Sequence, residues 1–398
     1  MMLRFKNVIL WIVSALLLMG IASHAHEAHT LQQSDQLAIS LAADQAGRLW
    51  RASVKEGVVW VDSSVDLGKT FTAAVSVNIK PMKIAAEGEA RPKIAVSKEG
   101  NIYVTWTESL KKPYAGYIWF ARSVNGGKSF DTPYIVHQDR AEITHRFDAL
   151  NLAPDGKMTV AWVDKRDLVA AKAAGKPYDG AAIYYAVSNN QGKSFEPEKK
   201  LADSSCECCR IALTNKPDGT VVAMWRHVFA GSERDHAIAE ITPDNKAPAI
   251  VRASYGHWQI DGCPHHGGAL AYGQGFGYHM AYFDGAGETP SLMVARMDGE
   301  AWVTSPPKKF GNMKNNAGHP AIYSLGDQVW LVWRETVSGQ SEIYSMRSLD
   351  GGKQWSSAQR ILSVNDKVDY PQLIEIKAKV YVAVNTGIEG FKLIPMTD

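Results

Sequence analysis

The chain has 398 residues, of which 45% are hydrophobic and 21% charged, and its formal net charge is +2. A length of this size suggests two or three domains, although a repetitive β fold can reach it as one body. The nearly balanced charge gives no basic footprint for nucleic acid and no cationic face for an anionic membrane. The composition therefore predicts a protein with a packed core that binds neither of these partners.

The N-terminus has the features of a secretory signal peptide. Two basic residues precede an apolar run over residues 8–21, and a small residue, Ala25, follows at the position expected for cleavage. The apolar run is short for a membrane anchor, and no second span follows it. We therefore expect residues 1–25 to be a signal peptide. Residues 26–398 should then form one exported domain, periplasmic or secreted, without a membrane span.

One pattern repeats along the rest of the chain: a short strand, a Gly-centred turn, and a second strand that ends in an aromatic residue. The clearest copies are 91–106, 146–162, 210–225, 266–282 and 319–333, and weaker copies lie at 37–53 and 371–384. β-Branched and aromatic residues alternate as they do in strands, and no long segment shows helical periodicity. Seven modules of about fifty residues predict an all-β propeller of four-stranded blades. The last module has room for only three strands, and residues 27–34 could supply the fourth.

Four short segments within these modules are near-copies of one another. They are residues 64–71, 123–130, 188–195 and 348–355. Each begins with Ser, has Asp or Asn two residues later, contains a Gly suited to positive φ, and closes with an aromatic residue. This pattern resembles the Asp-box (BNR repeat) of sialidase-like β-propellers, with a Cys-x-Cys-Cys and Cys-Pro-His-His insertion that makes the chain a divergent member. Sialidases have six blades, so the resemblance favours six where the module count favours seven. We expect seven.

Polar residues should surround the axis at one face of this propeller, where each inner strand starts and each second strand ends. The residues at the starts of inner strands are Arg91, Arg146, Arg210, His266 and His319. The residues two positions after the strand-ending aromatics are Glu108, Asp164, His227, Asp284 and Glu335. We expect this axial mouth to bind a small molecule or a glycan, although a solvated mouth alone would account for about half of these charges.

All four cysteines lie at the starts of two neighbouring modules, together with two histidines. The residues are Cys206, Cys208, Cys209, Cys263, His265 and His266. An even number of cysteines in an exported protein is typical of disulfides, but pairing all four requires a strained bridge within residues 206–209. One bridge from Cys263 that leaves two thiols is easier to build, and a mixed state, with one disulfide beside a labile redox pair, is a further alternative. Thiolates with imidazole instead suit copper or zinc. The sequence thus predicts a transition-metal or redox site, and it indicates no organic cofactor.

The resemblance to sialidases implies three arginines that bind the sugar carboxylate, a tyrosine nucleophile and two acidic residues. The matching positions in this chain are Arg91, Arg146 and Arg210 for the arginines, Tyr370 for the nucleophile, and Glu108, Asp164, Asp284 and Glu335 for the acids. Guanidinium pairs with carboxylate in a bidentate way, which lysine cannot do. His266 and His319 stand where further arginines would be expected, and the cysteines are foreign to the sialidase pattern.

Three functions follow from these features. The first is an exported propeller with a Cys/His site for a metal, copper being the first to test, or for redox chemistry. The second is an exo-glycosidase of the sialidase type that hydrolyses acidic sugars at the axial mouth. The third is a non-catalytic propeller that binds a periplasmic protein.

Overall fold

The computed structural model describes residues 37–86, 88–242, 248–260, 262 and 265–396. Within these residues the strands form seven antiparallel sheets, six with four strands and the last with three. The all-β, seven-bladed propeller predicted from the module count is confirmed, and the six-bladed alternative taken from sialidases is wrong. The predicted signal peptide (1–25) and the segment expected to complete the last blade (27–34) lie outside the described residues.

The first four blades contain strands β1 to β16 and the longest helical segment described. Blade 1 consists of β1 (Ser40–Ala43), β2 (Leu49–Lys55), β3 (Val58–Ser64) and β4 (Val75–Ser76). Blade 2 consists of β5 (Lys93–Val96), β6 (Ile102–Ser109), β7 (Gly116–Ser123) and β8 (Tyr134–Ile135). Blade 3 consists of β9 (His145–Leu152), β10 (Met158–Asp164), helix α1 (Arg166–Ala173), β11 (Ala181–Ser188) and β12 (Lys199–Ser205). Blade 4 consists of β13 (Ala212–Asn215), β14 (Val221–Arg226), a 3₁₀ turn (Ala230–Ser232), β15 (His236–Ile241) and β16 (Val251–Arg252).

The last three blades contain strands β17 to β27. Blade 5 consists of β17 (Ala269–Gly273), β18 (Gly277–Asp284), β19 (Ser291–Asp298) and β20 (Lys308–Phe310). Blade 6 consists of a 3₁₀ turn (Met313–Asn315), β21 (Gly318–Leu325), β22 (Gln328–Val337), β23 (Gln340–Ser348) and β24 (Gln359–Val364). Blade 7 consists of β25 (Gln372–Ile376), β26 (Lys379–Thr386) and β27 (Gly390–Pro395). No helix in the described part of the chain is long and apolar enough to cross a membrane.

The hydrophobic core lies between blades. The innermost strands contact one another in ring order, and β25 of blade 7 meets β1 of blade 1. Seven clusters of buried hydrophobic residues each join two neighbouring blades. Four of them contain a fully buried tryptophan, namely Trp106, Trp162, Trp225 and Trp333. Removing such a side chain from a packed core costs about 3–5 kcal/mol, so the strand-ending aromatics that marked the modules also stabilise the ring.

The four repeated turns share one hydrogen-bond pattern. In the first turn, Ser64 Oγ donates to Asp66 Oδ1 at 2.7 Å and accepts from the Gly68 amide at 2.8 Å. The Thr70 amide donates to Asp66 Oδ1 at 2.9 Å. The Ser-to-Asn or Ser-to-Asp bonds of the other turns are 2.9 Å (Ser123 to Asn125), 3.0 Å (Ser188 to Asn190) and 2.8 Å (Ser348 to Asp350). The short polar side chains therefore satisfy the backbone of each turn locally.

The glycine four residues after the serine of each turn packs on the preceding blade. Gly127 of blade 2 has φ +78°, and a Cβ on it would lie 2.6 Å from the Trp50 ring of blade 1. The corresponding glycine of blade 1, Gly68, faces the Phe391 ring of blade 7 in the same way. The repeated turns thus hold neighbouring blades together, and the first one helps to close the ring.

Candidate functional site

Three of the four cysteines form a compact buried cluster in the turn between β12 and β13. The Sγ atoms are 3.7 Å apart for Cys206 and Cys208, 4.0 Å for Cys208 and Cys209, and 3.8 Å for Cys209 and Cys206. These separations far exceed the S–S bond of about 2.05 Å. All three residues are buried, and none of them forms a disulfide.

The size of this sulfur triangle matches a metal–thiolate site. A circle through the three Sγ atoms has a radius of about 2.2 Å, close to the Zn–S bond length of about 2.3 Å. Three thiolates at these separations could occupy three of the four ligand positions of a tetrahedral metal site. The described cluster can therefore supply three ligands to a thiophilic metal without rearranging.

The backbone of blade 4 positions this turn. The amide of Cys206 donates to the Arg226 carbonyl at 2.8 Å, so the turn is pinned to the end of β14. Glu207, which stands between the cysteines in sequence, has its carboxylate paired with Lys165 of blade 3 and stays outside the cluster. Cys209 is followed directly by Arg210 and the inner strand. The cysteine cluster thus lies where blades 3 and 4 meet near the axial mouth.

Hydrogen bonding within the cluster separates the acidities of its thiols. The pKa of Cys206 is held well below its usual value, because Cys208 and Cys209 donate to its sulfur and Arg226 adds positive charge, against the opposing effect of burial. The pKa of Cys209 is raised, because its thiol donates to the Cys206 sulfur and because it is buried. A thiolate stabilised by neighbouring thiols would be a ready ligand for a soft metal, whose binding would require the other thiols to lose their protons.

Neither predicted histidine joins the sulfur atoms. The group of ligand atoms that lie within 4.8 Å of one another, among the described residues, contains the three cysteines and no imidazole. His266 instead stacks on Phe283 at 4.3 Å, and its ring centroid is 5.5 Å from that of His319. Burial lowers the pKa of His266 to about 4. His265 is exposed, and Cys263 lies outside the described residues.

A second group of ligand types, Glu233, Asp235 and His257, lies in the segments that precede β15 and follow β16 in blade 4. Its centre is already occupied by Arg252, whose Nη1 lies 2.8 Å from Glu233, 3.0 Å from Asp235 and 3.1 Å from His257 Nδ1. The guanidinium supplies the positive charge that a metal would bring. This group is therefore an ion-pair network and a poor metal site.

Glu89 forms the centre of the axial mouth, although the sequence analysis did not single it out. Its Oε2 accepts from the Gly267 amide at 3.1 Å and the Arg210 amide at 3.5 Å, and its Oε1 lies 3.3 Å from His319 Nδ1. Burial raises the pKa of Glu89, but the charge of Arg210 and the hydrogen bond with His319 outweigh it and lower the pKa to about 2. One ionised carboxylate from blade 2 thus crosses the mouth to blades 4, 5 and 6.

A phenol and an amine complete this axial cluster. The Tyr370 ring stacks on His319 at 3.5 Å, which brings the predicted nucleophile to the mouth beside an imidazole. Burial raises the pKa of Tyr370. Lys93, on the inner strand of blade 2, donates to the Arg91 carbonyl at 2.5 Å. Burial, together with the charges of Arg91 and Arg210, lowers the pKa of Lys93 to about 8 against the opposing charge of Asp148.

The three predicted arginines differ in what they contact. Arg91 forms a buried bidentate pair with Asp369 of blade 7, at 2.6 and 2.7 Å. Arg210 donates to the carbonyls of Gly268 at 2.9 Å and Pro320 at 2.6 Å. Arg146 places its guanidinium 5.2 Å from the centre of the Phe147 ring. Arg91 and Arg210 thus donate to groups of other blades, which leaves few N–H groups for the carboxylate of a ligand.

The predicted carboxylates serve mainly as partners for groups within their own blades. The bonds are Trp162 Nε1 to Asp164 (2.9 Å), Trp333 Nε1 to Glu335 (2.8 Å), Trp119 Nε1 to Glu108 (2.8 Å) and the Ala286 amide to Asp284 (2.9 Å). Residues two apart on a strand project to the same face, so a polar residue at that spacing can reach the indole N–H of a buried tryptophan. His227 lies 3.3 Å from the Trp225 indole in the same way.

Comparison with known proteins places the chain by fold alone. No family model and no curated protein matches it. A Hadza microbial sialidase has a TM-score of 0.50 and 14% identity, over 86% of this chain and 74% of that one. The polysaccharide lyase Uly1 has a TM-score of 0.54 and 9% identity, over 91% and 90%. An α-L-arabinofuranosidase of Fusarium graminearum, solved with an iminosugar inhibitor, has a TM-score of 0.50 and 12% identity, over 83% and 95%. The chain therefore has the β-propeller fold in common with these enzymes.

Proposed function

We propose that the protein is a metal-binding β-propeller in which Cys206, Cys208 and Cys209 hold copper or zinc. The observation that carries this proposal is the triangle of buried sulfurs, whose sides of 3.7 to 4.0 Å fit the radius of a metal–thiolate site. Thiolate ligands select soft or borderline metals such as Cu(I) and Zn(II) over Mg²⁺ and Ca²⁺. Cys263, the fourth cysteine of the sequence, is the proposed fourth ligand.

Metal content per chain tests this proposal directly. Protein purified without chelators should contain about one copper or zinc per chain, and Cys209→Ser should lose it, since two thiolates bind such a metal far more weakly than three. Cys263→Ser tests the fourth ligand. Glu207→Gln is the matched control, because it changes the same turn without touching a sulfur. Metal-free protein with its cysteines fully oxidised would overturn the proposal.

Export is part of this proposal. An oxidising compartment favours disulfides over free thiols, so a metal would also protect the cysteines there. Fractionation of cells that produce the full chain should recover the protein outside the cytoplasm, shortened by residues 1–25. Recovery of the uncleaved chain in the cytoplasm would contradict this location.

A second candidate function is hydrolysis of an acidic glycoside at the axial mouth. It is favoured by the cluster of Glu89, His319 and Tyr370, which combines a carboxylate, an imidazole and a phenol. Turnover of a fluorogenic sialoside or uronide that is lost in Glu89→Gln and Tyr370→Phe would support it. Arg91→Ala tests this function poorly, because Arg91 is paired with Asp369.

The outcomes of these tests separate the classes of function. Inactivity across acidic glycosides counts against the hydrolase. If the protein has neither bound metal nor turnover, the remaining proposal is that the axial mouth is a docking surface for a periplasmic protein. A pull-down with the purified chain would then test this third function.

A further inference from the structure

A cavity of about 290 Å³ lies between blades 5 and 6, beside the repeated turn of blade 6. Three cationic side chains, Arg296, Lys308 and Lys353, line it together with Ser305 and the half-buried ring of Trp355. No carboxylate is part of this lining. The lining is therefore cationic and has one aromatic wall, and the Asp350 carboxylate acts on Arg296 from outside this lining.

The repetition of the propeller supplies an internal reference for this cavity. Arg122 in blade 2 and Arg296 in blade 5 occupy equivalent positions. The carbonyl of each accepts a hydrogen bond of 2.8 Å from the amide of the residue nine positions later. That later residue is Asp131 in blade 2 and Ser305 in blade 5. The Arg122 guanidinium donates to Asp131 at 2.8 Å and to the Gln191 carbonyl of the next blade at 2.9 Å.

Blade 6 has the same arginine and serine as blade 5, namely Arg347 and Ser356, but Arg347 Nη2 donates to Gln328 Oε1 at 2.5 Å. Blade 5 thus has the arginine without the carboxylate that accepts from it in blade 2.

The Nε of Arg296 has no partner: it is buried and finds no hydrogen-bond acceptor among the described residues. The charge of Asp350, in the turn of blade 6, acts on the guanidinium but does not satisfy this donor. The guanidinium stacks on Phe276 at 3.4 Å, which holds it in place. A buried N–H without an acceptor is unfavourable, and an anion entering the cavity would accept from it.

We infer that the cavity between blades 5 and 6 binds an anionic saccharide through a carboxylate or sulfate on its ring. The anion would take the place that Asp131 fills in blade 2 and pair with Arg296, while Lys308 and Lys353 add charge at the rim. Trp355 offers the apolar face on which a sugar ring packs. This site is separate from the cysteine cluster and from the axial mouth, and it does not depend on either proposed function.

Calorimetric titration with glucuronate, with a sulfated monosaccharide and with glucose tests the inference. The two acidic sugars should bind, the tighter one identifying the anion, and glucose should not. Lys353→Ala should weaken binding about fivefold, as expected for the loss of one exposed ionic contact. Lys309→Ala should leave it unchanged, because Lys309 lies next to Lys308 but outside the lining and close to Thr289.

A restored carboxylate gives the sharpest test. Ser305→Asp recreates the arrangement of blade 2, so the new side chain should pair with Arg296, raise the thermal unfolding midpoint and abolish binding of glucuronate. Unchanged glucuronate affinity in Ser305→Asp would overturn the inference. So would failure of both acidic sugars to bind, or equal affinity for acetate and glucuronate, which would indicate a site for an adventitious ion only.

Discussion

Two adjacent glycines in the repeated turn of blade 2 allow the contact between blades to be measured. Gly126 and Gly127 both have positive φ, +71° and +78°. A Cβ on Gly126 meets nothing within 4 Å, whereas a Cβ on Gly127 would lie 2.6 Å from Trp50 Cζ3 in blade 1. Substitution by alanine therefore imposes the same backbone strain at both positions and a steric clash at only one.

The expected losses differ accordingly. Alanine in the left-handed region costs about 1–2 kcal/mol, so this is the full effect of Gly126→Ala. Overpacking against a well-ordered ring adds about 1–3 kcal/mol, so Gly127→Ala should lose about 2–5 kcal/mol of the free energy of unfolding. Urea unfolding followed by tryptophan fluorescence measures both variants. Equal losses would refute the claim that this turn stabilises the ring through the preceding blade.

Three further predictions concern buried polar groups. Asp369→Asn should reduce the free energy of unfolding by about 3–5 kcal/mol in urea titrations, because the Arg91 guanidinium then stays buried without a counter-charge. Glu335→Ala should reduce it by about 3 kcal/mol, because the Trp333 indole and two other donors lose their acceptor; an unchanged midpoint would show that water replaces the carboxylate. Burial lowers the pKa of His137 to about 3 and that of His279 to about 4, from 6.5 in the unfolded chain. Stability should thus be fully present above pH 6.5 and should fall by on the order of 3 kcal/mol for each histidine as the pH drops to 4, as urea midpoints across this range would reveal.

The fold was predictable because the chain repeats it. Five copies of a strand, a glycine turn and a strand ending in an aromatic residue, together with two weaker copies, set the number of blades, and the five strand-ending aromatics lie in cores between two blades. The contacts that close the ring were not predictable. Arg91 binds Asp369, 278 residues away, and the carbonyl of Ile39 in blade 1. A pairing of this separation leaves no local signal in a single sequence.

The candidate site was predictable where its residues are close in sequence. Cys206, Cys208 and Cys209 form the cluster expected from their spacing. The mouth carboxylates were predicted because each follows a strand-ending aromatic residue by two positions. That same spacing places Asp164 beside the indole N–H of a tryptophan, so the carboxylate faces its own blade. Glu89 was missed because it lies two residues before the chosen arginine and its partners are 121 to 230 residues away.

The blades of a propeller can be compared with one another position by position, because all of them pack the same backbone arrangement. A charged residue that recurs at one position in several blades then has a structural explanation, as the acceptors of the tryptophan indoles do. A residue that departs from its counterparts does not have that explanation. The cysteine turn before β13 is a departure of this kind. The buried Nε of Arg296 is another: among the described residues it has no acceptor, whereas Arg122 donates to Asp131 and Arg347 donates to Gln328. For this reason our proposals concern these two positions in preference to the many charges that line the mouth.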